Sequence, residues 1–380
     1  MKKRFSNFIK NMTLRQKRGF ECFEICIVLF CVLQAMSWII NTDLYDQQAA
    51  KRWSPDGGYA QISCFYPVSR QEDDYYFQNL KHSIEEALKQ ESIMAEQESA
   101  RIVIDTVSAG GEITLSSNQA TIVVNAMGVT NDFFQFHPLS LYGGAYFNDS
   151  MLMTDGVIID EDAAWKLFGS NDVVGMEISI GGVPYYIRGV ANRKEGHFEE
   201  AGGLSESLCY VSLDTLKTYG EVKGSYTYEV ILPNPVEGFA MKIIMDTIHD
   251  DDNSLQIVEN SSRYHIMPLL QDIRSFGIRS MNQKGIVYPY WENIARAYED
   301  VNAVILLAQI ICLIPAVLLA VIYIIGRWRH KKWTFHDVIR MIADKFSKIK
   351  EYVKNRTTVE TGEKKRRKRH EKRKKNQESN

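Results

Sequence analysis

"VIIDEDAAWKLFGSNDVVGMEISIGGVPYYIRGV", residues 157–190, carries three local signals in one run. Val157, Ile158 and Ile159 favour a short strand. Asp160 stands where a helix N-cap belongs, Ala163, Ala164 and Leu167 suit the helix, and Gly169 can close it. Met176, Ile178 and Ile180 alternate before Gly181-Gly182, and Val183, Tyr185 and Ile187 alternate after it. A Gly-Gly pair between two alternating runs predicts a hairpin.

Outward from this stretch the same reading continues. Residues 59–68, "YAQISCFYPV", predict a strand, and Phe77, Leu80, Ile84 and Leu88 form a helical stripe. Residues 100–110 and 119–129 predict two strands, with Gly110-Gly111-Glu112 as the turn between them. Towards the C-terminus, residues 208–213 and 225–234 read as strands and 213–220 as a short helix. Residues 237–251 read as a helix with Phe239, Ile243 and Thr247 in line, and residues 254–260 close the sheet. Strands and helices in this order are an α+β signature.

The net charge of −2 over 380 residues hides a partition. Residues 1–20 hold seven Lys or Arg and no acid; residues 327–380 carry a surplus of +13, and residues 42–302 a deficit of −20. Two apolar runs stand at the boundaries: one over about 20–41, the other over 303–325 with no charge. A membrane helix needs ~20 apolar residues, so both predict spans. Pro315 interrupts the second, which packing can absorb. A cleaved signal peptide is the other reading of the first run, but its apolar core is long and no small-x-small site follows it. Basic residues outside both runs place both termini in the cytoplasm, with Trp38 and Trp328 at the interfaces. From residue 290 to 325 the only helix breaker is Pro315, so a helix stands above the second span as a stalk.

Chemistry is hard to find. The chain has no P-loop motif, no H-E-x-x-H, no G-x-S-x-G and no C-x-x-C, so no catalytic residue and no cofactor or metal site is assigned. Glu195, His197, Glu199 and Glu200 offer mixed ligands but read as a solvated acidic loop. His249 to Asn253 lacks calcium-loop spacing and reads as a helix-ending turn. Asn148 and Asn260 sit in glycosylation sequons that arise readily by chance. Cys64 and Cys209 are the only cysteines outside the spans; whether they pair is open. The basic tail suits an anionic leaflet rather than nucleic acid.

Residues Val129, Asn131 and Phe133, then Leu141, Gly144 and Phe147, lead into Val157, Ile158, Ile159, one of Ala163 or Ala164, then Leu167, Phe168 and Gly169. Asp172, Val174 and Gly175 follow, then Ile178, Ile180, Tyr186, Ile187, Gly189 and Val190. In order and spacing this run resembles the periplasmic core domain of MacB/FtsX-type ABC transporter permeases. Ala145 stands where that pattern has Arg, and Val173 and Met176 where it has Pro and Lys. Such permeases carry third and fourth spans, where this chain reads as a basic helix and tail.

The fold class expected is therefore a membrane protein whose two transmembrane helices flank an α+β extracytoplasmic domain, a MacB-like core with an inserted β-rich subdomain. Its parts are a basic head (1–19), a first span (20–41), the core domain (42–300), a second span (301–326), an amphipathic basic helix (327–354) and a disordered tail (355–380). Within the core lie the β-rich subdomain (129–215) and the stalk (289–302). The resemblance implies a permease-like subunit in the plasma membrane that couples a cytoplasmic ATPase to the outer domain. An ABC ATPase subunit, a fuller permease subunit and anionic lipid at the tail are the expected partners, in a homo- or hetero-oligomer. The alternative is a two-span receptor or scaffold that binds an extracellular ligand or cell-wall partner without ATPase coupling.

Overall fold

The computed structural model describes residues 14–94, 100–130, 132–147, 155–248, 250, 253–279, 282 and 284–329. The expectations for the head before residue 14, for Asn131, for the sequon at Asn148, for His249, Asp251 and Asp252, and for the chain from residue 330 onward lie outside these residues. The chain divides into two units, residues 25–313 and a smaller one containing the described residues 14–24 and 314–329.

Two long helices each contain a stretch that is apolar all round: α1 (Leu14–Asp43) and the last helix, which runs unbroken from Tyr290 to Arg329 through Pro315. Val28 and Ile39 on the first and Ile311 on the last turn their side chains outward. A helix with no polar face is at home in a bilayer. In the smaller unit the helix ends 14–24 and 314–329 approach closely, a Cβ on Gly19 coming within 3.8 Å of Leu319. The last helix begins at Tyr290, thirteen residues before the uncharged apolar run that starts at Ala303.

Between these helices lies one sheet. A single turn at Tyr45–Gln47 and α2 (Ala49–Trp53) lead to β1 (Tyr59–Phe65), followed by α3 (Asp74–Gln90), β2 (Ile104–Ser116), β3 (Thr121–Val129) and α4 (Phe133–Phe136). Then come β4 (Leu141–Gly144), β5 (Gly156–Asp160), α5 (Glu161–Phe168), β6 (Glu177–Ile180), β7 (Val183–Ala191), β8 (Leu208–Ser212) and α6 (Leu213–Tyr219). The described residues continue with β9 (Glu221–Pro233), α7 (Phe239–Thr247), β10 (Gln256–Glu259), α8 (Ile266–Arg279) and α9 (Tyr290–Arg329). The strand order is β10-β1-β9-β2-β3-β8-β5-β7-β4, with β6 pairing β7 and β2. Neighbours are antiparallel except β3–β8 and β5–β7.

Local chemistry explains these elements. The stripe Phe77, Leu80, Ile84, Leu88 is buried along α3, whose N-terminus Asp73 caps by accepting from Tyr76 N–H. Asp160 caps α5 in the same way, and Gly169 closes it at φ +68°, where a side chain would be strained. Gly181 and Gly182 take φ +60° and +84° and turn the β6–β7 hairpin.

One expected turn is not there. Gly110, Gly111 and Glu112 lie inside β2, which continues to Ser116; the turn falls at residues 117–120, where Ser117 Oγ accepts from the N–H groups of Gln119 and Ala120. The glycines serve a bulge opposite β9, where a Cβ on Gly224 would press to 3.1 Å from Gly110 Cα. Cys64 and Cys209 are free and buried in separate core clusters, so the pairing left open by the sequence is not made.

The core has three main parts. β1, β9 and the start of β2 pack on α3 and α7; β3, β5–β8 and the end of β2 pack on α5 and α6. An aromatic cluster of Phe133, Phe134, Phe147, Tyr210, Tyr290 and Trp291 joins the base of α9 to the sheet.

Candidate functional site

The sheet meets the membrane helices through buried charge. Just after α1, the single turn presents Asp46, whose carboxylate accepts from His137 Nδ1 at 3.0 Å. His137 follows α4, is fully buried, and lies against Trp291 with ring centroids 4.0 Å apart. Its Nε2 donates to Glu229 in the middle of β9. Burial works against an imidazolium here, but Glu229 and Asp46 outweigh it, and the His137 pKa is pushed up to about 9. Asp46 is held below its ordinary value: burial opposes the charge, and His137, Lys194 and Arg52 more than compensate. His137 is thus a buried cation between two carboxylates.

The chain of contacts continues from Glu229. Ser63 on β1 donates to it at 2.6 Å, and Asn260 Nδ2 donates to Ser63 at 2.7 Å. The Asn260 carbonyl accepts from Arg263, whose guanidinium binds both carboxylate oxygens of Glu292 at 2.8 Å and reaches Glu299 at 2.5 Å. Glu292 and Glu299 stand on α9 one above the other. Burial disfavours the Arg263 charge, yet the two carboxylates hold its pKa well above the usual value; Glu292 is correspondingly lowered. Arg296 adds a bond to Glu292 at 2.9 Å and lies 3.8 Å from the Tyr288 ring centroid. Arg279 at the end of α8 also donates to Glu299.

A polar seam ties α1 to α9 below this. Ser37 Oγ donates to Asn302 Oδ1 at 2.6 Å, Asn302 Nδ2 donates to Asn41 Oδ1 at 3.0 Å, and Gln309 Nε2 donates to Gln34 Oε1 at 3.1 Å. Hydrogen bonds of this kind hold apolar helices in register where packing alone would let them slide. Arg52 of α2 donates to the carbonyls of Gln135 and Phe136, so the segment after α1 also holds the end of α4.

Breaking the links made by His137 or Arg263 would leave buried carboxylates without their cation, which is costly.

The residues singled out in the sequence divide differently. Val157, Ile159, Ala163, Ala164, Leu167, Ile178, Ile180, Ile187 and Val190 form one core cluster. Val129, Phe133, Phe147 and Ile158 belong to the aromatic one. Glu195 precedes, and His197, Glu199 and Glu200 lie on, a short helical segment over 197–204 rather than the expected loop, and among the described residues no group of His, Cys, Asp and Glu is placed to hold a metal. Asp250 accepts from the N–H groups of Ser254 and Leu255, as a helix-ending turn requires. Asn260 is buried with its amide in use. Asp46, His137, Glu229, Arg263 and Glu299 carry no motif in the sequence.

Residues 28–245, more than half of the chain, match the family described as MacB-like periplasmic core domain. The macrolide export ATP-binding/permease protein MacB of Escherichia coli K12 is 27% identical over 158 residues, which are 41% of this chain and 24% of that protein; MacB of Shigella flexneri matches equally. The chain thus matches about a quarter of the length of these relatives. Among solved structures, the periplasmic region of MacB from Actinobacillus actinomycetemcomitans aligns with 16% identity and a TM-score of 0.37, over 56% of this chain and 92% of that one. The extracellular domain of the transporter YknZ from Gram-positive bacteria aligns with 19% identity and a TM-score of 0.33, over 52% and 99%.

Proposed function

As the chain belongs to the MacB-like periplasmic core domain family, an ABC transporter permease family of membrane proteins with an extracytoplasmic domain, we propose that it is a permease-like subunit that transmits motion outward. A cytoplasmic ABC ATPase supplies the movement, with a fuller permease subunit as co-partner. The two spans pass that movement to α9, and α9 passes it to the sheet. Both termini face the cytoplasm in this reading, and the basic segment after residue 326 docks on the ATPase complex or on anionic lipid. The observation that carries the reading is the buried chain from Asp46 through His137, Glu229, Ser63, Asn260 and Arg263 to Glu292 and Glu299, which joins both membrane helices to the centre of the sheet.

The test is affinity capture of the full-length protein from solubilised membranes, with a deletion of residues 333–380 as control and mass spectrometry as the readout. Recovery of an ABC ATPase and a multi-span permease, lost on deletion, is expected. Recovery of envelope or extracellular proteins alone, unchanged by the deletion, would replace this reading with that of a receptor or scaffold.

A further inference from the structure

Helix α8 (Ile266–Arg279) leaves part of its apolar side uncovered. Ile266, Leu269, Leu270, Ile273 and Phe276 recur at i, i+3, i+4, i+7 and i+10, a single apolar stripe. A helix on a soluble domain turns such a stripe to the core. Here the opposite side, with Pro268, Gln271, Asp272, Ser275 and Arg279, lines a cleft of about 890 Å³ against β10 and the base of α9. The stripe is covered only in part: Ile266 is 62% exposed and Phe276 37%, Leu270 and Ile273 are half-buried, and Leu269 is buried.

Position decides what covers that stripe. Arg279, the last residue of α8, donates to Glu299 and lies 3.3 Å from Asp300. Arg263, three residues ahead of the helix, binds the same Glu299, and Tyr264 Oη donates to the carbonyl of Ala295 one turn higher. Both ends of α8 are therefore held near one level of α9. At ~1.5 Å per residue α8 is about 21 Å long, so it lies across α9 rather than along it. That level, at Glu299, is four residues, about 6 Å, above Ala303, where the uncharged apolar run begins. Exposed Arg274 flanks the stripe.

We propose that α8 is an interfacial membrane helix, whose apolar stripe rests in the outer leaflet at the mouth of the second span while its polar side faces the cleft. Amphipathic helices lying in the bilayer plane bury their apolar face ~5–10 Å into the headgroup boundary, the depth available here. Arg274 then reaches lipid phosphate from the edge of the stripe. The helix lies beyond the residues matched to the family.

The test uses the full-length protein in nanodiscs of phosphatidylcholine and phosphatidylglycerol, with Cys22, Cys26, Cys31 and Cys312 replaced by serine. Nitroxides are placed singly by Ile266→Cys, Ile273→Cys and Phe276→Cys, with Gln271→Cys and the exposed Tyr142→Cys as controls. The expected result is an oxygen-to-nickel-chelate accessibility ratio higher by roughly threefold or more at 266, 273 and 276 than at 271 and 142. Ratios at 266, 273 and 276 equal to that at 142 would mean the stripe faces water and overturn the proposal. Labels inaccessible to both reagents, with dipolar broadening between copies, would overturn it in favour of a contact with a second copy.

Discussion

His137 is charged because of what surrounds it, and that makes stability depend on pH in a defined sense. Its pKa is raised from an ordinary 6.5 to about 9 in the folded protein. The stabilisation it gives is complete below pH 6.5 and is lost as the pH rises through about 9, and it amounts to on the order of 3 kcal/mol. The opposite window belongs to Asp46, whose lowered pKa gives stability that is present above 3.8 and lost as the pH falls through the lowered value. Thermal unfolding of the purified protein should therefore fall off on the alkaline side, and His137→Gln should abolish that slope. The same substitution leaves Asp46 and Glu229 facing each other without a cation and should cost ~3–5 kcal/mol. Arg263 offers a graded comparison. Arg263→Met strands Glu292 and should cost ~3–5 kcal/mol in denaturant unfolding. Arg263→Lys keeps the charge but loses the paired bonds to Glu292, and should cost about half as much. None of these residues was legible in advance. His137 lies 91 positions from Asp46 and 92 from Glu229, and Ser63 lies 197 from Asn260, so only the folded sheet assembles them.

Among the elements, those with strictly local causes were readable. α3 follows from its apolar stripe, α5 from Asp160 and Gly169, the β6–β7 hairpin from its two glycines, and α1 and α9 from hydropathy. Where one local signal serves two structures, reading failed: Gly110-Gly111 has the composition of a turn, but the close approach of β9 uses it as a bulge. α8 carries a stripe of the same kind, but Pro268 and Gly277 stand inside it and weigh against a helix. The helix pair makes a prediction at this scale. Asn302 holds both Ser37 and Asn41, so Asn302→Leu should loosen α1 from α9 by ~1–2 kcal/mol. A double-mutant cycle with Ser37→Ala, read by unfolding in bicelles, should return a coupling energy of about 0.6 kcal/mol.

Over the whole molecule, the polar chain should make distant parts open together. Hydrogen exchange in the full-length protein should show residues 256–263 and the outer part of α9 protected to a similar degree. In Arg263→Met the segment 256–263 should exchange faster, while β3, β5 and β8, held by their own core cluster, keep the wild-type pattern. Faster exchange throughout would mean that the substitution lowers global stability only and that the coupling is not directional.

The position of β1 in the sheet also has a consequence for biosynthesis. Both of its neighbours are late: Ser63 meets Glu229 across 166 residues and Asn260 across 197. At ribosomal speeds of ~5–20 residues per second, β1 is made on the order of ten to thirty seconds before β9 arrives. Throughout that interval its backbone donors and acceptors stand open on both sides, anchored beside a membrane by the helix before it. Nascent chains on neighbouring ribosomes present the same open strand, which makes 59–65 the segment at which newly made copies would mispair and the one a folding helper must cover.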